Sequence, residues 1–479
     1  MFISQLDGLF IFLTFSIIII LSVILTKTKH FNLDSFLLDN REIPWWKNGL
    51  SIAATWIWGP ALFLSSMQAF KDGIPGVFWF LLPNFTCFFI FTYFATKFRK
   101  IMPNGYTLAE FMKQRYNGSF SVHISYIFLI LLCQVTAIIL NSVIGAALIS
   151  LVTGIETNYA ILAIVGIALT YSLISGFKAS IFTDCVEIVI IYAFIFTVVP
   201  LSIFKTGGIS TIIQNIGGIY DHKDIFDWNT IIYFAIPTFV TLWTGPITDQ
   251  MFYQRVMGSK KNQVRKSFIS AAFFYIVVPF SLSLLGFVGV ELFKMGTLNN
   301  YDEQLIGGIV VSTLFSKTIL YFYCFMALAG LCSTIDSALC AASSVGCIDV
   351  YKTYIASNSS DLKKKHLLYI SRLSMIIVSV IGLLIAFTKP PLIAIFFIIG
   401  TVRAAGCFPT IISMFSKKTP GYIIPFAIGT AIFVSLPLSI YANMSGSKNL
   451  VVFASLSAVF FPLFVCLLGI FIQSKFFRN

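Results

Sequence analysis

Charge is scarce in this sequence. Only 11% of its 479 residues are Asp, Glu, Lys or Arg, against 58% hydrophobic. That composition excludes an ordinary water-soluble protein, whose surface needs far more polar side chains. The sequence also lacks a G-x-x-x-x-G-K-[ST] loop, so the phosphate cradle of a P-loop ATPase is absent. Histidine is rare. His30, His123, His222 and His366 fall in loops or at the ends of apolar runs, which argues against an imidazole proton relay inside a membrane. Nine cysteines occur, but none form C-x-x-C and all sit in or beside apolar runs. A zinc site or disulfide framework is therefore not expected, and the cysteines read as small packing residues. No catalytic constellation is evident, so an enzyme is not expected.

What the sequence does contain is apolar runs of about twenty residues, each long enough to cross a hydrocarbon core of about 30 Å. About thirteen are expected, near 8–26, 48–70, 76–98, 122–150, 157–175, 181–202, 229–254, 267–290, 307–348, 367–388, 391–415, 421–441 and 450–472. The first lacks a basic leader and a small-residue cleavage site, so it reads as a retained helix. The run 307–348 is too long for one simple crossing and is expected to begin with a helix outside the membrane or to tilt strongly. The chain thus reads as an all-α membrane protein with no attached soluble domain.

The formal charge of +13 does not point to nucleic acid, because the basic residues are spread over short loops. Placing alternate loops in the cytoplasm gives that side 24 of the 32 Lys and Arg, including Lys27, Lys29, Arg255, Lys260, Lys363, Lys417, Lys418 and Arg478. The positive-inside rule then puts the N-terminus outside and the C-terminus in the cytoplasm of a cell membrane. Lipid is the expected surround, and no obligate protein partner is evident.

Two apolar runs carry Gly-Pro in their middle: Thr55-Trp56-Ile57-Trp58-Gly59-Pro60 and Trp243-Thr244-Gly245-Pro246. Proline removes a backbone donor and glycine loosens the chain, so each is expected to break its helix. Each opens a set of five spans, 48–202 and 229–415, separated by a longer outer loop at 203–228. Five is odd, so the sets run in opposite directions, the pattern of an inverted repeat with a binding site between matched broken helices. An extra helix and loop precede them at 1–47 and two helices follow at 416–479.

Four segments carry a family resemblance: Asn40-Arg41-Glu42; Ser175-Gly176-Phe177-Lys178-Ala179-Ser180-Ile181-Phe182-Thr183-Asp184; Thr248-Asp249-Gln250-Met251-Phe252-Tyr253-Gln254-Arg255; and Ser333-Thr334-Ile335-Asp336-Ser337 followed by Asp349-Val350-Tyr351-Lys352. In this order they resemble the sodium:solute symporter family, over nearly the whole chain. The resemblance implies a leucine-transporter-like core of two inverted five-helix repeats and sodium-coupled entry of a small organic solute by alternating access. Sodium would be cargo rather than a prosthetic group. The alternative reading is a membrane sensor or input module for a separate signalling partner.

By position the resemblance maps a sodium site onto the hydroxyls of Ser333 and Thr334 and the carbonyls of Gly330, Ala53 and Trp56, the oxygen ligands a hard cation prefers. It maps a possible second cation site onto Asp184, Ser333 and Ser337, with Asp336 standing where that pattern has serine. Asp249 and Gln250 are expected to gate or to hold structure, and Arg403, in mid-span, needs a partner or a wet cavity. The solute pocket is expected between the two breaks and the fourth span, walled by Thr55, Trp58, Pro60, Gln134, Asn141 and Trp243. Thr55 replaces the proline carrier's aspartate and Pro60 the sugar carriers' polar residue, which argues against proline and sugar. A small neutral or amide-like solute is expected, with urea-type and amino-acid-type substrates open.

Overall fold

The computed structural model describes residues 3–24, 33–298, 301–356, 364–416 and 419–476. Lys27, Lys29, Lys363, Lys417, Lys418 and Arg478, used above for orientation, lie outside the described residues. Among the described residues the regular structure is helical, apart from an isolated parallel bridge between Ile43 and Ser259. In order the helices are α1 Gln5–Ile24, α2 Leu33–Leu38, α3 Trp45–Trp56, α4 Ser65–Ile101, α5 Leu108–Arg115, α6 Phe120–Thr153, α7 Thr157–Ser175, α8 Phe177–Lys205, α9 Ile209–Gln214 and α10 Trp228–Thr230. There follow α11 Ile236–Thr248, α12 Gln250–Gly258, α13 Val264–Lys294, α14 Ile306–Leu314, α15 Lys317–Ser344, α16 Lys364–Ala386, α17 Leu392–Phe415, α18 Ile423–Thr430, α19 Leu436–Ser445 and α20 Lys448–Phe476.

Among the described residues twelve helical stretches are long and apolar enough to cross a membrane, where the sequence suggests about thirteen. The difference lies in one region. The expected span 48–70 divides after Trp56, leaving α3 with 12 residues. Its second half starts at Pro60 and runs into the next span, so that Pro60–Ile101 is one stretch of 42 residues. At about 1.5 Å per residue such a stretch is about 63 Å long, twice a hydrocarbon core. Gly73, at φ 63° and ψ −146°, kinks it. The oversized run 307–348 resolves as a short helix, α14, followed by α15, which continues as a wider turn to Ile355.

The bundle is inverted relative to a soluble protein. Leu13, Ile17, Leu384, Phe464 and Leu467 on its outer helices are exposed, while Asp184, Glu187, Asp249, Arg255, Asp336 and Arg403 are buried. α13 packs along α4, α15 against α6 and α8, and α11 against α17. The cysteines are free, eight of them buried and Cys185 half-buried. His123 does lie at a span end, in the first turn of α6, but it is buried. Its Nε2 is 3.0 Å from Asp349 Oδ1 and its Nδ1 2.6 Å from the Tyr354 hydroxyl.

Two local features position the site. Gly176 joins α7 to α8 at φ 60° and ψ −142°, which side chains disfavour, and a Cβ there would lie 2.6 Å from Phe36 O. This close approach seats α2 beneath α8. In α13, a Cβ on Gly286 would lie 2.2 Å from Ser66 O and 2.9 Å from Phe70 N, both backbone atoms that cannot swing aside. Gly286→Val therefore overpacks α13 against α4 and is expected to cost at least about 1–3 kcal/mol. Thermal unfolding in detergent checks this, and an unchanged midpoint contradicts it.

Candidate ion and solute site

The first break falls where expected. α3 ends at Trp56, Ile57 turns out of the helix at φ −82° and ψ 70°, and a wide turn resumes at Pro60. The freed Gly59 N–H donates to Asn141 Oδ1 at 2.8 Å, and Asn141 itself is tied to Ala137 O. Asn141 thus caps the break from α6. The broken end docks on α15. Thr334 Oγ1 lies 3.2 Å from both Thr55 O and Gly330 O, and a Cβ on Gly330 would come within 2.8 Å of Ile57 O. Glycine at 330 is what admits this carbonyl. The carbonyl that Thr334 reaches belongs to Thr55, between the expected Ala53 and Trp56; Ala53 O accepts the Ile57 N–H at 2.9 Å.

Ser333, one residue earlier, faces α8 and donates to Asp184 Oδ1 at 2.5 Å. Ser51 of α3 donates to the other Asp184 oxygen. Arg255 completes this cluster. Its Nη2 is 3.0 Å from Asp184 Oδ2 and 2.8 Å from Ser337 Oγ, and its Nε donates to Ser51 Oγ at 2.9 Å. Asp184, Ser333 and Ser337 are therefore brought together around a guanidinium. Asp336 points elsewhere, with Thr183 Oγ1 3.4 Å away. Thr55 Oγ1 also belongs here, 3.1 Å from Ser337 Oγ and bonded back to Ser51 O, so its side chain joins the Asp184–Arg255 cluster and not the solute wall where the sequence placed it.

Counting Arg255 among loop residues is corrected by its complete burial. The sequence signal was its place at the end of the Thr248–Arg255 segment, in which Asp249, Gln250 and Gln254 also make buried hydrogen bonds. Gln250 bonds Leu108 N and Tyr106 O, clamping the start of α5, and Gln254 donates to Leu37 O at 2.8 Å.

The second break is displaced from Gly245-Pro246. α11 runs through both residues to Thr248, the chain turns at Asp249 (φ −89°, ψ 124°), and α12 begins. Asp249 sets the point of restart because its carboxylate accepts the Met251 N–H at 3.1 Å as an N-cap. Its other oxygen accepts from Arg403 Nη2 at 2.8 Å, which supplies the partner that Arg403 required. Gln134 Nε2 donates to Asp249 Oδ1 at 3.0 Å.

The Arg403 guanidinium lies 4.9 Å over Trp58 and 5.3 Å over Trp56, whose rings stack on each other at 5.3 Å. Arg403 Nε and Nη1, Trp58 Nε1 and Gln134 Oε1 are buried without hydrogen-bond partners. Pro60 is buried at the start of the wide turn. Trp243 does not join this group. It is 39% exposed, rests on Phe239 and donates to Thr86 Oγ1 at 3.0 Å. Gly245 faces Trp56, and residues two apart lie on nearly opposite sides of a helix. A cavity of about 590 Å³ is lined by Gln68, Asp72, His222, Phe397 and Lys448 among others, and none of Trp56, Trp58, Gln134 or Arg403 lines it. Phe397 follows Phe396, whose ring is 5.9 Å from Trp58. Among the described residues no set of His, Cys, Asp or Glu is grouped to hold a resident metal.

A multi-pass helical bundle with an unwound helix between buried charged clusters has the architecture of a secondary transporter rather than an enzyme. The chain belongs to the sodium:solute symporter family, whose profile matches residues 36–421, and sodium-coupled symport is the activity class of that family. It is 23% identical over 390 residues to a sodium/glucose cotransporter of Vibrio parahaemolyticus, covering 74% of this chain and 69% of that protein. It is 25% identical over 374 residues to a urea active transporter of Saccharomyces cerevisiae, covering 69% of this chain but only 48% of that one. Its fold matches a sodium-coupled sialic acid symporter solved in a substrate-bound outward-open state, with a TM-score of 0.78 and 16% identity over 96% of this chain and 98% of that one. The leucine-transporter-like fold follows.

Removing one member of a buried charge pair strands the other, at a cost of about 3–5 kcal/mol, whereas replacing both with apolar residues is far less costly. Arg403→Met or Asp249→Leu alone is expected to lower stability by that amount, and the double variant to regain most of it. Equal losses in all three, read by thermal unfolding in detergent, contradict the pairing.

Proposed function

We propose that this chain carries a small, uncharged, amide- or urea-like solute into the cell together with sodium, by alternating access across a cell membrane. The N-terminus is outside, the C-terminus is cytoplasmic, and segments 48–202 and 229–415 act as the two inverted repeats. The observation that carries the reading is that one unwound stretch serves both sites. The Thr55 and Ile57 carbonyls turn to α15, and Trp56 and Trp58 turn to Arg403.

Sodium binds among Ser333, Thr334 and the carbonyls of Gly330, Ala53, Thr55 and Trp56, which supply the oxygen ligands of a hard cation. It ties α3 to α15, favouring the state that accepts solute. At the second cation position, expected at Asp184, Ser333, Asp336 and Ser337, the Arg255 guanidinium already bonds Asp184 and Ser337, which supports one sodium per cycle.

The solute assignment rests on charge and on vacant hydrogen-bonding atoms. Arg403 is neutralised by Asp249, so the pocket as a whole favours an uncharged guest. Arg403 Nε, Arg403 Nη1 and Trp58 Nε1 offer donors, and Gln134 Oε1 offers an acceptor. A planar carbonyl compound with its own N–H groups satisfies both. The similarity to a urea active transporter supports the same class. A tenfold sodium gradient supplies about 1.4 kcal/mol, enough for about tenfold accumulation, and each net charge carried inward adds about 2.3 kcal/mol per 100 mV.

Proteoliposomes with an imposed sodium gradient test this. Sodium-dependent uptake of urea or a small amide is expected. Ser333→Ala and Thr334→Ala are each expected to raise the half-saturating sodium concentration about tenfold or more, the loss of one hydrogen-bonding ligand to a charge. Uptake that is unaffected by either substitution contradicts the sodium site. Uptake of a dicarboxylate in preference to neutral solutes contradicts the pocket.

A further inference from the structure

The outer wall of the bundle carries an arginine that the described protein leaves without a counter-charge. α7 and α16 lie side by side, and a groove of about 610 Å³ opens between them. Leu173 and Ile174, in the last turn of α7, form one wall. Tyr369, Arg372, Leu373 and Ile376 of α16 form the other. Tyr369, Ile376, Ile377 and Val380 are exposed on an apolar, membrane-length helix, so this side of α16 meets lipid.

Arg372 Nη2 lies 3.5 Å from Ile174 O, at the outer limit of a hydrogen bond. Its Nε is buried with no partner, and its guanidinium rests 6.0 Å from the Phe36 ring centre. Among the described residues neither Arg372 nor Lys365 forms an ion pair. Lys365, Tyr369, Arg372 and Ile376 follow one another at helical spacing, so they share one face of α16. Lys365 is exposed near the start of the helix, and Arg372 lies about 10 Å further in.

A charged side chain at that depth requires a partner. The planar fork of a guanidinium matches the oxygens of a phosphate. Tyrosine is at home at the level of the headgroups. The order along the groove is Lys365, Tyr369 and Arg372, then Leu373 and Ile376 opposite Leu173. That is the order of a phospholipid, with charge at the interface and acyl chain beyond it. A zwitterionic lipid brings its own cation and leaves the arginine's charge unbalanced, whereas an anionic lipid supplies the missing charge.

We propose that this groove binds one anionic phospholipid, whose phosphate is held by Arg372 and Lys365 and whose acyl chain lies along Leu173, Leu373 and Ile376. The lipid clasps α16 to the end of α7, beside the Gly176 junction that seats α2 beneath α8. With the orientation proposed above the site lies in the cytoplasmic leaflet, whose surface is the more anionic. Only that leaflet assignment rests on the orientation; the site itself does not.

Native mass spectrometry of the purified protein in neutral detergent, titrated with phosphatidylglycerol or with phosphatidylcholine of the same acyl chains, tests this. The first phosphatidylglycerol is expected to bind about tenfold or more tightly than the first phosphatidylcholine, the worth of a hydrogen bond between charged groups. Arg372→Gln is expected to remove that preference and to leave phosphatidylcholine binding unchanged. Ile376→Trp keeps the guanidinium but fills the groove, and is expected to remove the preference as well; it decides alone if the Arg372 variant does not fold. Glycerol phosphate, which has the charge without the chains, is not expected to displace the lipid. Equal affinity for the two lipids, or a preference that survives either substitution in folded protein, overturns the proposal. Displacement of phosphatidylglycerol by equimolar glycerol phosphate leaves only an anion site and overturns the lipid assignment.

Discussion

A backbone left unwound inside a bilayer must find its hydrogen bonds in the protein, because lipid offers none. That constraint organises this molecule. Where the chain departs from helix at residues 57–58, Asn141 caps the Gly59 N–H and α15 receives the carbonyls of Thr55 and Ile57. The groups that satisfy the break come from α6 and α15, so the break can open or tighten only as those helices move with it. An ion coordinated by the same carbonyls would change the balance between arrangements, which is what a coupled carrier needs.

Buried charge is the second organising element. Arg255–Asp184 and Arg403–Asp249 join α12 to α8 and α17 to the turn before α12. Both pairs involve the Thr248–Arg255 segment, so one short stretch links the Asp184 cluster to the group around Arg403 and Trp58. Intramembrane charges are costly and persist where they are paired or functional. Asp184 and Asp249 have arginine partners; among the described residues Glu187 and Asp336 form no ion pair.

Much of this was legible in the sequence. Apolar length gave the bundle and the family motifs gave its class, and Gly59-Pro60 marked the first break within a residue or two. Thr334 meets the broken end of α3, while Ser333 beside it turns to Asp184 on α8. The second break was misplaced because Pro246 can sit within a helix whose neighbours supply the missing bond, while Asp249 ends it by capping the next. Trp243 was misjudged because proximity to a break in sequence says nothing about helical face. Arg255 was read as a loop charge because span boundaries are the least certain part of such a reading. No local pattern announces that a residue at the end of an apolar run folds back into the core. The partner of Arg403 lies 154 residues away, a distance over which sequence spacing carries no signal.

The central claim is that one broken helix binds sodium on one side and solute on the other, so each must alter the affinity for its companion by the same factor. The most direct measurement is the equilibrium affinity of the purified protein for radiolabelled urea or a small amide across a range of sodium concentrations, paired with sodium affinity across a range of that solute. The account predicts that each tightens the other, by equal factors. Solute binding that is unchanged between sodium-free and sodium-saturated protein would contradict it.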